Sequence, residues 1–173
     1  MKNIIKIFSM LPAAAVLLLL NGCGYHIGFI KHPQINTLAV APAVNETAIY
    51  NAASDIRMMM TEVIVQDGTY KLTDQKHADA IIYLTVKEVK FAESSDASLE
   101  DDDTFKPTEW QTQVTVDYSL VIPGQGGKLL SGSVTGDSLF QAPLDLEGSR
   151  LRAVRQACYV AAQQVIYSLA EGW

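Results

Sequence analysis

Gln113-Val114-Thr115-Val116-Asp117-Tyr118-Ser119-Leu120-Val121-Ile122 is the stretch from which the fold can be read. Val114, Val116, Tyr118, Leu120 and Ile122 alternate with Gln113, Thr115, Asp117, Ser119 and Val121, the two-residue period of a strand buried on one face. Pro123-Gly124-Gln125-Gly126-Gly127 then turns the chain, and Lys128 to Leu139 returns as an antiparallel partner. No Lys-Ser/Thr pair and no helix follow the glycines, so they read as turn chemistry and not as a phosphate cradle. A hairpin with one apolar face needs a cover.

Two helical patterns supply it. Asn51 or Ser54 can cap a helix running to Gln66, with Asp55 near its positive end and Gly68 as terminator. Ile56, Met60, Val63 and Ile64 fall on one face at helical spacing. Met58-Met59-Met60 points three ways around such a helix, which suits core filling and not a thioether metal cluster. Asp145 opens the second helix, expected to reach Glu171 before Gly172. Its apolar stripe is Leu151, Val154, Cys158, Ala161, Ala162, Val165, Ile166 and Leu169. Cys158 in that stripe reads as a buried structural thiol.

The remaining strands precede the hairpin. Tyr25 to Ile30 reads as a short first strand, and Thr37 to Ala41 as a better one stopped by Pro42. In Asn45-Glu46-Thr47 the Asn and Thr side chains are expected to shape a turn. Tyr70 to Thr73 is a short edge strand, and Ala78-Asp79-Ala80 leads into the longest one. There Ile82, Leu84 and Val86 share one parity and Val89 and Phe91 the other; a bulge near Lys87-Glu88 would return all five to one side. The expected fold is α+β, two helices packed on one face of a mixed, mainly antiparallel sheet of about four strands.

Chemistry is hard to find in this chain. Residues 93–108 include Glu100-Asp101-Asp102-Asp103, a solvated acidic excursion without the spacing or the central glycine of a calcium loop. His26, His32 and His77 belong to no metal-ligand pattern. No Gly-x-Ser-x-Gly elbow is present, and the acids crowd into one run instead of forming a held pair. The expectation is a binding or assembly protein, not an enzyme, with no metal.

The start of the chain has its own layout. Met1-Lys2-Asn3 and Lys6 precede an apolar tract through Leu11 to Leu20, then Leu20-Asn21-Gly22-Cys23. A basic end, a short apolar middle and a small residue before the cut describe a secretory signal. The last four residues resemble the lipobox of bacterial lipoproteins, which implies cleavage after Gly22 and acylation of Cys23. Residues 1–22 are then a leader and 23–173 one mature domain. Loss of Lys2 and Lys6 leaves 11 basic against 19 acidic side chains, a net charge of −8. That balance disfavours nucleic acid, whose nonspecific binding rests on Lys and Arg. Attachment to a membrane would therefore come from the lipid on Cys23, with no other cofactor.

Four features together resemble one family, the LPS-assembly lipoproteins of the outer membrane (LptE-like). They are Cys23-Gly24-Tyr25-His26, the strand Leu38-Ala39-Val40-Ala41-Pro42 leading to Asn45-Glu46-Thr47, the helix from Ser54 closing at Gly68, and Ala78-Asp79-Ala80 opening a long strand. Ile30-Lys31-His32-Pro33 and the acidic insertion depart from the family's pattern. The resemblance implies a non-enzymatic lipoprotein, anchored in the inner leaflet of the outer membrane on its periplasmic side. It would plug a β-barrel LPS-assembly protein, help that translocon assemble, and aid lipopolysaccharide transport. An outer-membrane lipoprotein that regulates a cell-wall synthase or builds a secretion channel is the alternative. For lipopolysaccharide contact the candidates are Arg150, Arg152 and Arg155, crowded where the helix dipole disfavours cations; the plainer reading is a solvated basic face. For barrel contact the candidates are Gly124, Gln125, Gly126 and Gly127.

Overall fold

Strand β1 (Thr37–Val40) lies in parallel beside β4 (Ala80–Glu93), with Leu38, Ala39 and Val40 opposite Ala80, Ile81 and Ile82. The computed structural model describes residues 32–94, 109–141 and 145–171. The leader, Cys23, the strand expected at Tyr25–Ile30 and residues 95–108 of the acidic excursion lie outside the described residues. Between β1 and β4 come β2 (Val44–Asn45), helix α1 (Ala52–Asp67) and β3 (Lys71–Leu72). After β4 come β5 (Glu109–Val121), β6 (Leu130–Gln141) and helix α2 (Leu146–Glu171). Strand order is β3-β1-β4-β5-β6, with β2 parallel to β4 further along it. The sheet has six strands where the pattern predicts about four, because β2 pairs over two residues, a length at which alternation gives no signal.

β4, β5 and β6 form the antiparallel part. The change of phase in β4 is a bulge. Val86 pairs with Val116 and Glu88 with Thr115, which leaves Lys87 as the extra residue and returns Val89 and Phe91 to the core side. Val114, Val116, Tyr118 and Leu120 of β5 are buried, as alternation requires.

Both helices cover that one face. Ile56, Met60, Val63 and Ile64 of α1 and Val154, Val165, Ile166 and Leu169 of α2 meet Ile82, Leu84, Val116 and Leu120 in a single core. α1 ends as expected: Gly68 sits at φ 70°, and its N–H donates to Ile64 O at 3.2 Å. Its start differs, since Asn51 makes no side-chain cap and Ser54 Oγ instead donates to Asn51 O at 2.8 Å. Met59 and Met60 are buried while Met58 faces outward, so two of the three methionines fill the core. At the start of α2, Asp145 Oδ1 accepts from Gly148 N at 2.9 Å, the side-chain cap that α1 lacks. Leu151 departs from its expected stripe and is 47 % exposed.

α2 rides low over β6. A Cβ at Gly136 would stand 2.0 Å from Ala157 O and 2.5 Å from Ala161 N, so only glycine admits the helix backbone there.

Candidate functional site

One face of the antiparallel strands has no helix on it. There Tyr83, Ser119 and Ser131 run across β4, β5 and β6, followed by Thr85, Asp117 and Ser133. Thr115 and Thr135 form the next pair, their hydroxyls 3.2 Å apart, and Gln113 lies opposite Asp137. These side chains are exposed or half-buried, while every neighbour of opposite parity on β5 from Thr112 to Leu120 is buried. Hydroxyl, amide and carboxylate groups dominate this face. β5 alone has 13 residues, so the face is about 40 Å long. At its margin Lys87 is paired with Glu46, which holds the ammonium charged above its usual range, and Lys90 is paired with Glu88 at 2.8 Å.

The glycine-rich tip between β5 and β6 lies at one end of the strands. Gly124 and Gly127 adopt φ of 83° and 126°, values that other residues rarely take, and residues 123–128 are exposed. This is also the end at which His32 leads into β1, since Leu38 pairs with Ala80 and Val121 with Ile81.

The three arginines sit at the opposite end, and each has a local explanation. Arg150 Nη1 meets Glu147 Oε1 at 3.1 Å, and its guanidinium lies 5.3 Å from the centre of the Phe91 ring. Phe91 and Trp110 both pack on Phe140, edge-on at 6.5 Å and stacked at 6.4 Å, an aromatic cluster that the sequence pattern did not flag. Their adjacency comes from strand register, with Trp110 opposite both Glu93 and Phe140. Arg152 Nη2 donates to Ser149 Oγ at 3.0 Å. Arg155 Nε donates at 3.3 Å to Oδ1 of Asp55, a carboxylate only 7 % exposed on α1. That contact spans the two helices and accounts for a cation early in α2.

The expected patch of three is thus divided. Arg152 and Arg155 share a cleft of about 310 Å³ between the helices, lined also by Met59, Glu62 and Tyr159. Arg150 belongs to the aromatic cluster instead. Cys158 is buried beneath, and loss of solvation, then the Asp55 charge, push its thiol up to about 12. Such a thiol is protonated at neutral pH and is no nucleophile.

Asn45 and Thr47 shape a turn, as their types suggest. Asn45 Nδ2 donates to Ile49 O at 2.8 Å, and Asn45 Oδ1 accepts from Thr47 N at 3.0 Å and from its hydroxyl at 2.8 Å. Among the described residues no group of three His, Cys, Asp or Glu side chains could hold a metal ion. Nor is any described helix long and apolar enough to cross a membrane.

No protein-family profile and no curated protein sequence matches the chain. Its fold does recur among solved structures. A Caulobacter crescentus protein described as a lipoprotein is 14 % identical, with a TM-score of 0.51 over 77 % of this chain and 88 % of its own. PelC from Paraburkholderia phytofirmans, solved as a dodecamer, is 15 % identical, with a TM-score of 0.52 over 83 % and 94 %. A Xanthomonas campestris protein is 13 % identical, with a TM-score of 0.52 over 85 % and 94 %. At such identities the likeness is one of fold, and it is a fold that lipoproteins use.

Proposed function

We propose that this chain is an outer-membrane lipoprotein, acylated at Cys23, that plugs and helps assemble the β-barrel lipopolysaccharide translocon. The uncovered face of β4, β5 and β6 carries this reading. A soluble sheet turns one face to water or to a partner, and this face offers a long array of hydroxyl and amide groups. The interior of a large membrane barrel is polar, so such a face, with the carboxylates of Asp117 and Asp137 included, can line up with it and keep polar surroundings. Ser119, Ser131, Ser133 and Thr135 are short, which lets two sheet surfaces approach closely. The lipobox resemblance at Leu20 to Cys23 and the family resemblance over residues 23–92 support the same reading. The role is non-enzymatic, with lipopolysaccharide as cargo and the covalent lipid as the one attached group.

The test is a pull-down of the full-length protein from membranes in mild detergent, with mass spectrometry of what comes along. The expected companion is a β-barrel protein in comparable yield. Recovery with a peptidoglycan synthase in its place, or with no barrel protein, overturns the proposal. A second reading, part of a secretion channel, draws on the fold likeness to a dodecameric protein. Ring-shaped oligomers in the same preparation would favour it.

A further inference from the structure

The outward face of α1 carries a regular line of side chains. Ser54, Met58, Thr61 and Val65 recur at intervals of four, three and four, so they form one line along the helix. That line lies on the opposite side from Ile56, Met60, Val63 and Ile64, which enter the core. Met58 and Val65 are 46 % and 64 % exposed, and the line borders a shallow, mainly apolar groove of about 760 Å³. Arg57 and Glu62 flank it, one on each side. Among the described residues Arg57 forms no ion pair, and Glu62 only accepts from Gln66 Nε2 at 2.9 Å on its own helix.

We propose that this face binds the same face of a second copy of the chain, with the two α1 helices parallel. Charge decides both the occupant and the direction. In a seven-residue repeat, Met58 and Val65 take the first core position, while Ser54 and Thr61 take the second. Arg57 and Glu62 then fall on the two flanks, five residues apart. Parallel pairing sets the flank residue of one helix against the opposite flank residue five places further along its partner. Arg57 of each copy therefore meets Glu62 of the other, twice over by two-fold symmetry. Antiparallel pairing would instead bring arginine beside arginine and glutamate beside glutamate. The helix has 16 residues, so the contact is about 24 Å long. An interface of that size is at the small end of specific ones, and the association is concentration-dependent. This inference does not rest on the barrel reading: a dimer without a barrel, or a barrel without a dimer, would separate the two.

The test uses full-length protein in its membranes. Thr61→Cys places a thiol at mid-seam, where parallel copies bring the two sulfurs within disulfide reach. Mild oxidation is expected to give a dimer band, while Leu151→Cys, exposed on α2, gives none. Arg57→Glu and Glu62→Arg in the Thr61→Cys background should each lower the yield about tenfold, since two attractions become two repulsions. The double exchange should restore it, which a merely structural effect of either change would not do. Equal cross-linking at positions 61 and 151, indifference to the single reversals, or no recovery in the double exchange would overturn the proposal. Melting curves of the uncross-linked variants should coincide with that of the parent, because both charges are solvent-exposed.

Discussion

Asp79 and Thr37, 42 positions apart, hold each other at both ends of one contact. Asp79 Oδ2 accepts the N–H groups of Thr37 and of its neighbour Asn36, each at 2.9 Å, and Asp79 N donates to Thr37 Oγ1 at 2.9 Å. β1 enters the sheet at Thr37 and β4 at Ala80, so this contact pins the start of one strand to the start of the other. The Asp in Ala78-Asp79-Ala80 therefore has a physical task. It satisfies two backbone donors at a strand end.

Those donors hold the Asp79 carboxyl below the usual carboxylate range. A depressed value means that its stabilisation is complete above the ordinary aspartate value of about 4 and is lost as pH falls through the folded one. Asp79→Asn is expected to lower the urea midpoint at neutral pH. The difference from the parent should shrink in acid, where the parent's carboxylate is itself protonated. Urea melts at the two pH values check this; a gap that stays constant would mean that charge is not what the contact uses.

The clean alternation of β5 makes a two-residue test of the sheet's sidedness. Leu120 is 1 % exposed on the helix-covered face, whereas Ser119 stands on the uncovered face. Leu120→Ala should cost about 2–5 kcal/mol, and Ser119→Ala should stay within roughly 0.5 kcal/mol. Equal losses in thermal or urea melts would place Ser119 in a packed environment that this fold does not give it.

Gly136 and Gly132 lie on the same strand and separate two kinds of crowding. At Gly136 an added methyl meets helix backbone, Ala157 O and Ala161 N, which cannot step aside alone. At Gly132 it meets the Tyr118 hydroxyl at 2.8 Å, the far end of a side chain that can swing. Gly136→Ala is expected to destabilise by about 1–3 kcal/mol or more, and Gly132→Ala by distinctly less. The reverse order in urea melts would show that α2 is not seated on β6 in this way.

How much of this could be read from the residues follows from the range of each interaction. Period and turn chemistry are local, so β5, the hairpin, the β4 bulge near Lys87 and the glycine end of α1 were all legible. The strand order was not, because nothing local says that β1 pairs with β4 in parallel. Leu151 fits the stripe of α2 by spacing, yet it is exposed, and spacing alone does not say where along the helix the packing stops. The arginines show the same limit from the site's side. Their crowding was visible, but Asp55 is 100 residues away from Arg155, and Phe91 is brought to Arg150 only by the packing of α2 on the sheet. The groove on α1 could have been found from the four-three-four spacing of Ser54, Met58, Thr61 and Val65.

The two cysteines are expected to differ completely in state. The lipobox resemblance implies acylation of Cys23, while Cys158 is buried with its thiol pushed up to about 12. Intact mass of the native protein should exceed that of the bare polypeptide from residue 23 by its acyl groups, and a thiol reagent should label nothing until denaturant is added. Retention of residues 1–22, or a bare mass from residue 23, would refute the anchor. Labelling of the native protein at Cys158 would refute its burial.

Of the three arginines at the start of α2, Arg152 is the one whose replacement tests lipopolysaccharide contact without removing an ion pair. Reversing all three arginines together would confuse binding with folding, because two of them hold structure. Arg155→Ala removes the partner of Asp55, which is only 7 % exposed, although Arg155 itself is 58 % exposed. Solvent screening at the arginine brings the expected loss down to about 1–2 kcal/mol. Arg150→Ala should loosen the packing of Phe91 and Phe140 in the same way. Arg152 differs, since its hydrogen bond goes to Ser149 on its own helix and its side chain lines both the inter-helix cleft and a second cleft between α2 and β6. A planar guanidinium there can grip a phosphate by two parallel hydrogen bonds, which lysine cannot copy. Arg152→Glu is therefore expected to weaken lipopolysaccharide binding several-fold at matched ionic strength, with an unchanged melting temperature. Arg152→Lys should recover only part of it. Binding measured on the full-length protein checks this, with barrel co-purification run alongside. Unchanged affinity in Arg152→Glu would return the arginine to a solvated face, and a fall in melting temperature of the same size as in Arg155→Ala would make it structural.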